Sequence, residues 1–324
     1  MAKVLVTGGA GFIGSHVVER FLKAGHEVSV LDDFSAGTKD NVPAGVDLHV
    51  MDVGSQESAA LVASAGFDVI AHLAAQIDVR KSVDDPGFDA RTNILGTLNI
   101  LEAARGLPPK RRPRIIFAST GGALYGGGAR VPSSEETPAN PDAPYGVAKL
   151  AAELYLAYYA RMWKMDTVVL RFGNVYGPRQ NPHGDAGVIA IFAGRIARGQ
   201  VVEIYGAGTQ TRDFVFVGDV ADAFLAAATA SLPDPESHNA RAFNIGTGVE
   251  TSVLELAKML GETAGAPARI EFKPARAGEV ERSLLAVGKA ERVLNWRPRV
   301  DMAAGLARTY AWVSRAGADR GLVG

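Results

Sequence analysis

Apolar residues dominate short runs through the first half of the chain, at 4–7, 28–31, 48–51, 69–73, 115–119 and 167–172. Runs rich in Val, Ile and Leu, without polar alternation, predict strands buried on both faces. Between them, at about 12–24, 55–65, 86–105 and 144–163, apolar positions recur at helical spacing. Strand and helix in alternation predict a doubly wound α/β fold, a parallel sheet covered on both sides. Such sheets bind ligands at the carboxyl ends of their strands, near the point where strand order reverses.

Past Gly173 the pattern changes. Pro, Gly and Asn become frequent in NVYGPRQNPHGDAG. A helix follows at about 187–198, strands near 201–205 and 213–217, a helix at about 219–230 and a strand at 243–246. An amphipathic helix is expected over 252–264 and two helical segments in the tail. We expect residues 1–173 to form the larger domain. Residues 174–324 would form mainly a smaller α/β substrate-binding cap, with segments at about 213–246 returning to the larger domain.

Composition narrows the function classes. Of 324 residues, 47% are hydrophobic and 21% charged, an ordinary globular balance. The 34 basic and 35 acidic residues leave a net charge of −1, so no overall field favours nucleic acid or an anionic membrane. The basic run 110–114 lies between a Pro pair and an apolar strand and reads as a solvated loop. There is no cysteine, which excludes disulfides, thiol nucleophiles and thiolate metal sites. The start MAKVLVTGG is too weakly apolar for a signal peptide, and no run approaches the ~18 apolar residues a membrane span needs. A cytoplasmic protein is the expectation. The six His residues are scattered without metal-ligand spacing, so His72 and His183 read as structural and no metal is expected.

The first strand runs straight into GGAGFIG and then into a helix. Gly8, Gly11 and Gly14 permit a tight turn, close approach of a pyrophosphate and close helix–strand packing. The N–H groups of the first helical turn, at Phe12 and Ile13, face the phosphates with the positive end of the helix dipole. In this setting the loop predicts a Rossmann dinucleotide site. Asp32 ends the second strand, where a carboxylate accepts hydrogen bonds from the adenosine ribose and repels a 2′-phosphate, so NAD is expected over NADP. Asp52 and Val53 follow the third strand, in position to meet adenine. Leu73, Ala74, Ala75 and Gln76 end the fourth, two of them small enough to let a cofactor lie across.

Tyr145 and Lys149 lie four apart in PYGVAK, on one face of the expected helix. An ammonium one turn away favours phenolate and is expected to lower the Tyr145 pKa, making it a proton-transfer residue. Ser119 and Thr120 close the fifth strand beside this helix, facing the nicotinamide end of the cofactor. A hydroxyl there can bind a substrate alcohol while Tyr145 exchanges its proton and Lys149 holds the ribose.

With the Gly loop, LDDFS, MDV, HLAAQ, STGGALYG, YGVAK, RFGNVYGPRQNP, RDFVFVGD and RAGE, the chain resembles the extended short-chain dehydrogenase/reductase family over nearly its whole length. Within that family it is similar to the NAD-dependent epimerase/dehydratase group, and there to the UDP-glucose 4-epimerases. The resemblance implies reversible C4 epimerisation of a UDP-hexose through a 4-keto intermediate, on tightly bound, recycled NAD. It implies that Thr120 is the substrate's hydroxyl partner, with Ser119 its neighbour or substitute, Tyr145 the acid/base and Lys149 its tuner. Asn93 would support the cofactor site. Asn174, Arg212 and Arg276 would hold the diphosphate, Glu279 the uridine ribose, and Val188 would line the substrate pocket. An Arg fork suits diphosphate oxygens.

Two departures bear on activity. Sugar-nucleotide dehydratases in the group carry an Asp-Glu pair after the Thr, where this chain has Gly121 and Gly122. Ser283 stands where some members place a large aromatic that blocks N-acetylated sugars. A UDP-N-acetylhexosamine or UDP-uronate 4-epimerase or decarboxylase, a nucleotide-sugar 4,6-dehydratase, and a non-catalytic NAD-sensing protein are the alternatives. The helix AAELYLAYYARMW is more apolar than one sheet face requires; with the 86–105 helix it predicts a homodimeric four-helix interface.

Overall fold

The computed structural model describes residues 1–182, 187–276 and 280–319. Six strands of the first half are β1 (Lys3–Thr7), β2 (Glu27–Asp32), β3 (Asp47–Val50), β4 (Val69–His72), β5 (Arg114–Thr120) and β6 (Thr167–Phe172). They form one sheet in the order β3-β2-β1-β4-β5-β6, with Ala242–Ile245 added beyond β6. All its pairings are parallel. Strand order reverses between β1 and β4, and this is where such sheets open a ligand crevice.

Alternation along β1 assigns its residues to two layers. Val4 and Val6 pack with Val17, Phe21, Phe224 and Phe243 under helices Phe12–Lys23 and Val217–Thr229. Leu5 points the other way, with Ile70, Phe117, Ala152 and Leu156, under helices Gln56–Ser64, Gly96–Arg105 and Pro144–Trp163. Phe21 is fully buried, and truncating such a side chain to Ala costs about 3–5 kcal/mol.

The expected 86–105 helix is three pieces: Pro86–Ala90, a π-helical turn Arg91–Leu95, and Gly96–Arg105. Asp85 caps the first piece by accepting from Phe88 N, with Pro86 in the first turn. The wide turn leaves Gly96 against Val53, where a Cβ would come within 2.7 Å of Val53 Cγ1. Helix Val79–Asp84, capped by Asp78, is an element the apolar pattern does not signal.

Beyond β6, Thr211–Phe216 runs through a second sheet with Asn174–Tyr176, Glu250–Ser252 and Arg282–Ser283. Val202–Tyr205 pairs with Ile270–Lys273 in a third. Val253–Thr263, closed by a Ser252–Glu255 capping box, packs with Val188–Ala197 and Met302–Asp319 around these strands. Strand Ala242–Ile245 and helix Val217–Thr229 join the large sheet and its layer, while Thr211–Phe216 stays with the second sheet. Among the described residues no helix is long and apolar enough to cross a membrane.

Candidate functional site

The Gly loop lies against the end of β4. Gly8 has φ 70°, and a Cβ on it would stand 2.7 Å from Ala74 N and 2.9 Å from the Leu73 carbonyl carbon. On Gly14 a Cβ would meet Gly8 O at 2.0 Å. Gly11 N donates to Gly8 O and Gly11 O receives Ser15 N, so the N–H groups of Phe12 and Ile13 have no carbonyl of their own helix to reach. A loop that close-packed, opening a helix with free donors, fits a pyrophosphate. Asp32 is buried at the end of β2, accepting from Ala10 N at 2.9 Å and Phe34 N at 2.8 Å. Burial raises its pKa, and these two backbone N–H groups oppose the rise. Asp52 is exposed and caps its own turn at Gly54 N, while the Val53 side chain is buried in the core.

A buried polar chain ties the cofactor face together. Thr7 Oγ1 accepts from Leu73 N and Ala74 N and lies 2.7 Å from His72 Nδ1. His72 Nε2 is 3.1 Å from Thr97 Oγ1, which donates to Asn93 O. Asn93 then makes a double link to the Gln76 backbone, Oδ1 from Gln76 N and Nδ2 to Gln76 O, both at 2.9 Å. His72 is thus a structural ring, its pKa pulled down to about 3 by burial and then by the charge of Lys149.

Tyr145 and Lys149 sit in the first turns of helix Pro144–Trp163, with Ala143 as cap and Pro144 inside the start. Lys149 Nζ is buried, donates to Ala118 O at 3.0 Å, and lies 4.7 Å from the Phe117 ring and 6.0 Å from the Tyr145 ring. Burial lowers its pKa to about 8 against the raising charges of Asp89 and Glu153. Tyr145 is half-buried, and its hydroxyl makes no hydrogen bond among the described residues. The expected lowering of its pKa is not seen. Burial, and then the Asp89 carboxylate, push it up, while the Lys149 ammonium is held on Ala118 O and weakened by its own burial.

The two hydroxyls of β5 diverge, as successive strand residues must. Ser119 Oγ is buried and donates to Glu153 Oε1, so it turns away from any ligand in the crevice. Thr120 Oγ1, half-buried, accepts from Ala123 N and caps the short helix Gly121–Leu124. A Cβ built on Gly122 would lie 3.9 Å from both Thr120 Oγ1 and Asn174 Oδ1, so these groups share one edge of the crevice. On Gly121 a Cβ would fall 2.7 Å from Leu285 Cδ2, leaving no room for a side chain.

Several residues at the site lie outside the sequence reading. Glu153, one turn beyond Lys149, forms a fully buried pair with Arg171 of β6 at 2.6 Å. Arg171 also donates to Tyr125 Oη, Glu135 O and Asn239 Oδ1. A charged residue inside the apolar run TVVLRF is the signal that could have found it. Asp213 is buried, accepting from Thr247 N, Thr247 Oγ1 and Gly248 N, and so anchors the strand that carries Arg212. Asp89, next to Asn93 in space, has no sequence signal.

Arg212 and Ser283 are register partners in the second sheet, and Arg212 Nη1 donates to Thr211 O. Arg276 is exposed, its guanidinium stacked 3.7 Å from the Tyr205 ring centroid. Val188 is half-buried at the start of its helix. Glu279 and His183 lie outside the described residues.

Residues 4–246 match the model of the NAD dependent epimerase/dehydratase family. The chain belongs to that family. Among curated members, a UDP-glucose 4-epimerase of Mycolicibacterium smegmatis is 44% identical over 312 residues, 95% of this chain and 97% of the relative. Family structures are also close. A Thermotoga maritima UDP-glucose 4-epimerase with UDP-glucose superposes with a TM-score of 0.90 at 40% identity, over 97% of this chain and 99% of the other. A Thermus thermophilus UDP-glucose 4-epimerase in complex with NAD gives 0.85 at 41%, over 96% and 98%.

Proposed function

We propose that the protein interconverts UDP-galactose and UDP-glucose by C4 epimerisation on tightly held NAD. The observation that supports this most directly is the placement of Tyr145, Lys149 and Thr120 at the carboxyl edge of β5, facing the crevice that the Gly loop opens. The relatives named for this activity at 40% identity and above agree with it.

NAD, when bound, would supply the hydride acceptor and donor and a positive ring beside the phenol. Gly8, Gly11, Gly14, Phe12 and Ile13 would hold its pyrophosphate, Asp32 its adenosine ribose, and Asp52 and the backbone at Val53 its adenine. Leu73, Ala74, Ala75 and Gln76 would floor the site, and Asn93 fix that floor. Tyr145 takes the proton of the sugar 4-hydroxyl as C4 is oxidised, and returns it after the 4-keto sugar has turned over. Thr120 hydrogen-bonds that oxygen, with Ser119 holding the strand end through Glu153. Lys149 keeps positive charge next to the phenolate that takes this proton and is formed again when the proton is returned. Asn174, Arg212, Arg276 and Glu279 would grip the UDP, and Val188 would line its pocket, so that only the hexose is free to rotate.

Residues 1–173 would bind the cofactor and 174–324 mainly the nucleotide sugar. A homodimer is part of the proposal. Val147, Leu154, Tyr158 and Met162 on the Tyr145 helix are exposed, with Phe88 and Leu95 beside them, a face that a second copy would cover. A cytoplasmic setting accords with a chain that has no cysteine for disulfides. Acceptance of N-acetylated sugars is a second reading, supported by the small Ser283 beside Arg212.

The test is Tyr145→Phe, assayed with UDP-galactose and UDP-N-acetylgalactosamine without added NAD. A fall in kcat of about 10²–10⁴-fold is expected for loss of the acid/base group. Near-normal turnover of the variant would overturn the assignment.

A further inference from the structure

Behind the Tyr145–Lys149 pair lies a carboxylate that the proposed chemistry does not use. Asp89 belongs to the short helix Pro86–Ala90, immediately before the π-helical turn, and is 1% exposed. Its Oδ1 accepts from Gln76 Nε2 at 2.9 Å and Asn93 Nδ2 at 3.0 Å. Its Oδ2 is buried with no hydrogen-bond partner among the described residues. Leaving a carboxylate oxygen unpaired in the interior costs free energy, so its retention calls for a reason. Asp89 is among the residues that line a groove of about 370 Å³, together with Pro144 and Ala148, the residues that precede Tyr145 and Lys149. π-turns recur at functional sites, and this one brings Asn93 onto Asp89.

We propose that Asp89 is a positioning residue: a fixed negative charge, clamped by Gln76 and Asn93, that holds the shared proton on the Tyr145–Lys149 pair. The inference rests on the reading of that pair as the acid/base of the reaction. Tyr145 and Lys149 titrate as one unit, because each proton move on one changes the charge seen by the other. With one proton between them the pair is either phenolate and ammonium or phenol and amine; it gains a second proton at low pH and loses the first at high pH. A negative charge behind it favours the proton-rich state at both steps, and so moves both to higher pH. That matters for Lys149, whose burial has already brought it down to about 8. Without Asp89 more of it would be neutral at the pH where the phenolate must be stabilised. The groups acting on Lys149 are Asp89 from helix Pro86–Ala90, Glu153 one turn on along its own helix, and His72 of β4, neutral in this pH range; Tyr145 lies across the turn. Glu153 is already neutralised by Arg171 at 2.6 Å, which leaves Asp89 as the uncompensated charge.

The experiment compares the wild type with Asp89→Asn and Asp89→Glu, each with its retained NAD. Two readouts are taken: the pH profile of kcat, and the phenolate absorbance of Tyr145 isolated by subtracting the same protein carrying Tyr145→Phe. Asp89→Asn is expected to move both limbs of the profile, and the phenolate midpoint, about one pH unit toward acid, the scale of a nearby buried charge. Asp89→Glu, which keeps the charge, is expected to restore them. A lower kcat with limbs and midpoint unmoved would reduce Asp89 to a structural role and overturn the proposal. If Asp89→Asn does not fold, Asp89→Ser carries the same test. Failure of the wild type to turn over any UDP-sugar would instead sink the functional reading, while the phenolate titration would still judge Asp89.

Discussion

Ser119 donates its hydroxyl to the buried carboxylate of Glu153 at 2.5 Å, which engages one of the two hydroxyls of β5 inside the protein. Thr120, one residue on, turns to the crevice beside Asn174. The two positions should therefore fail differently. Thr120→Val is expected to lower kcat by tenfold or more and, through the lost cap on Ala123 N, to cost about 1 kcal/mol. Ser119→Ala is expected to leave kcat within about threefold and to cost about 1–3 kcal/mol, because a buried carboxylate loses a donor. Steady-state kinetics and urea unfolding on both variants check this; equal kinetic losses would place both hydroxyls at the sugar.

The seven-stranded sheet was legible because its strands are mostly Val, Ile, Leu, Phe and Ala, and the Gly loop because glycine is required where Gly8 presses on Ala74. Register and network were not. The π-turn at Arg91–Leu95 leaves the helical apolar pattern almost unbroken, so nothing local announces that Asp89, Asn93 and Gln76 meet. Strand Ile270–Lys273 was missed because its residues are half-buried or exposed and it pairs only with Val202–Tyr205. The pairing of Ser119 with Glu153 is tertiary, and a β5 read as two adjacent hydroxyls gives no sign of which one is taken. The pKa of Tyr145 was read from one neighbour, whereas burial and Asp89 set it.

Leu285 limits what chemistry Gly121 can acquire. A Cβ there lies 2.7 and 2.8 Å from the two Leu285 methyls, while Gly122 has its nearest neighbours at 3.9 Å. Gly121→Asp is expected to destabilise by about 1–3 kcal/mol through overpacking and an unpaired buried charge, and to yield no dehydrated keto sugar. Gly122→Glu should be tolerated within about 1 kcal/mol. Denaturant unfolding with alkaline absorbance of the product distinguishes these outcomes from a dehydratase in waiting, in which the double variant would release keto product.

Self-association should depend on the exposed face of the Tyr145 helix. Met162 is 64% exposed and Tyr158 43%, beyond the reach of the protomer's own core. Met162→Glu with Tyr158→Glu places like charges on a face that a two-fold contact would bring together with itself. Sedimentation should show a dimer for the wild type and a monomer for the variant. A wild-type monomer, or an unaffected dimer, would remove this interface.

His72 should make the fold sensitive to acid, and the reason is its tautomer. Thr7 Oγ1 already accepts from two backbone N–H groups, so its proton goes to His72 Nδ1; Thr97 donates to Asn93 O and so accepts from Nε2. A second ring proton would break the Thr7 bond in a buried site, and burial accordingly holds the pKa at about 3 against the ordinary 6.5. Between those values the unfolded chain binds a proton that the folded chain refuses. Stability should then fall as pH drops below about 6.5, by up to about 1.4 kcal/mol per unit from this ring, and level off near pH 3. Above pH 6.5 the ring contributes no slope. His16, lowered to about 4 by burial and then by Arg179, acts in the same direction. Asp32, Asp89, Asp213 and Asp219, raised by burial, act in the opposite one, so the total slope is ambiguous. The difference between wild type and His72→Gln is not. The variant should be less stable at pH 7, where it loses one of the two Thr bonds, yet lose less stability on going to pH 5. Parallel urea midpoints for the two proteins across that range would show that His72 is protonated, or exposed, in the folded state.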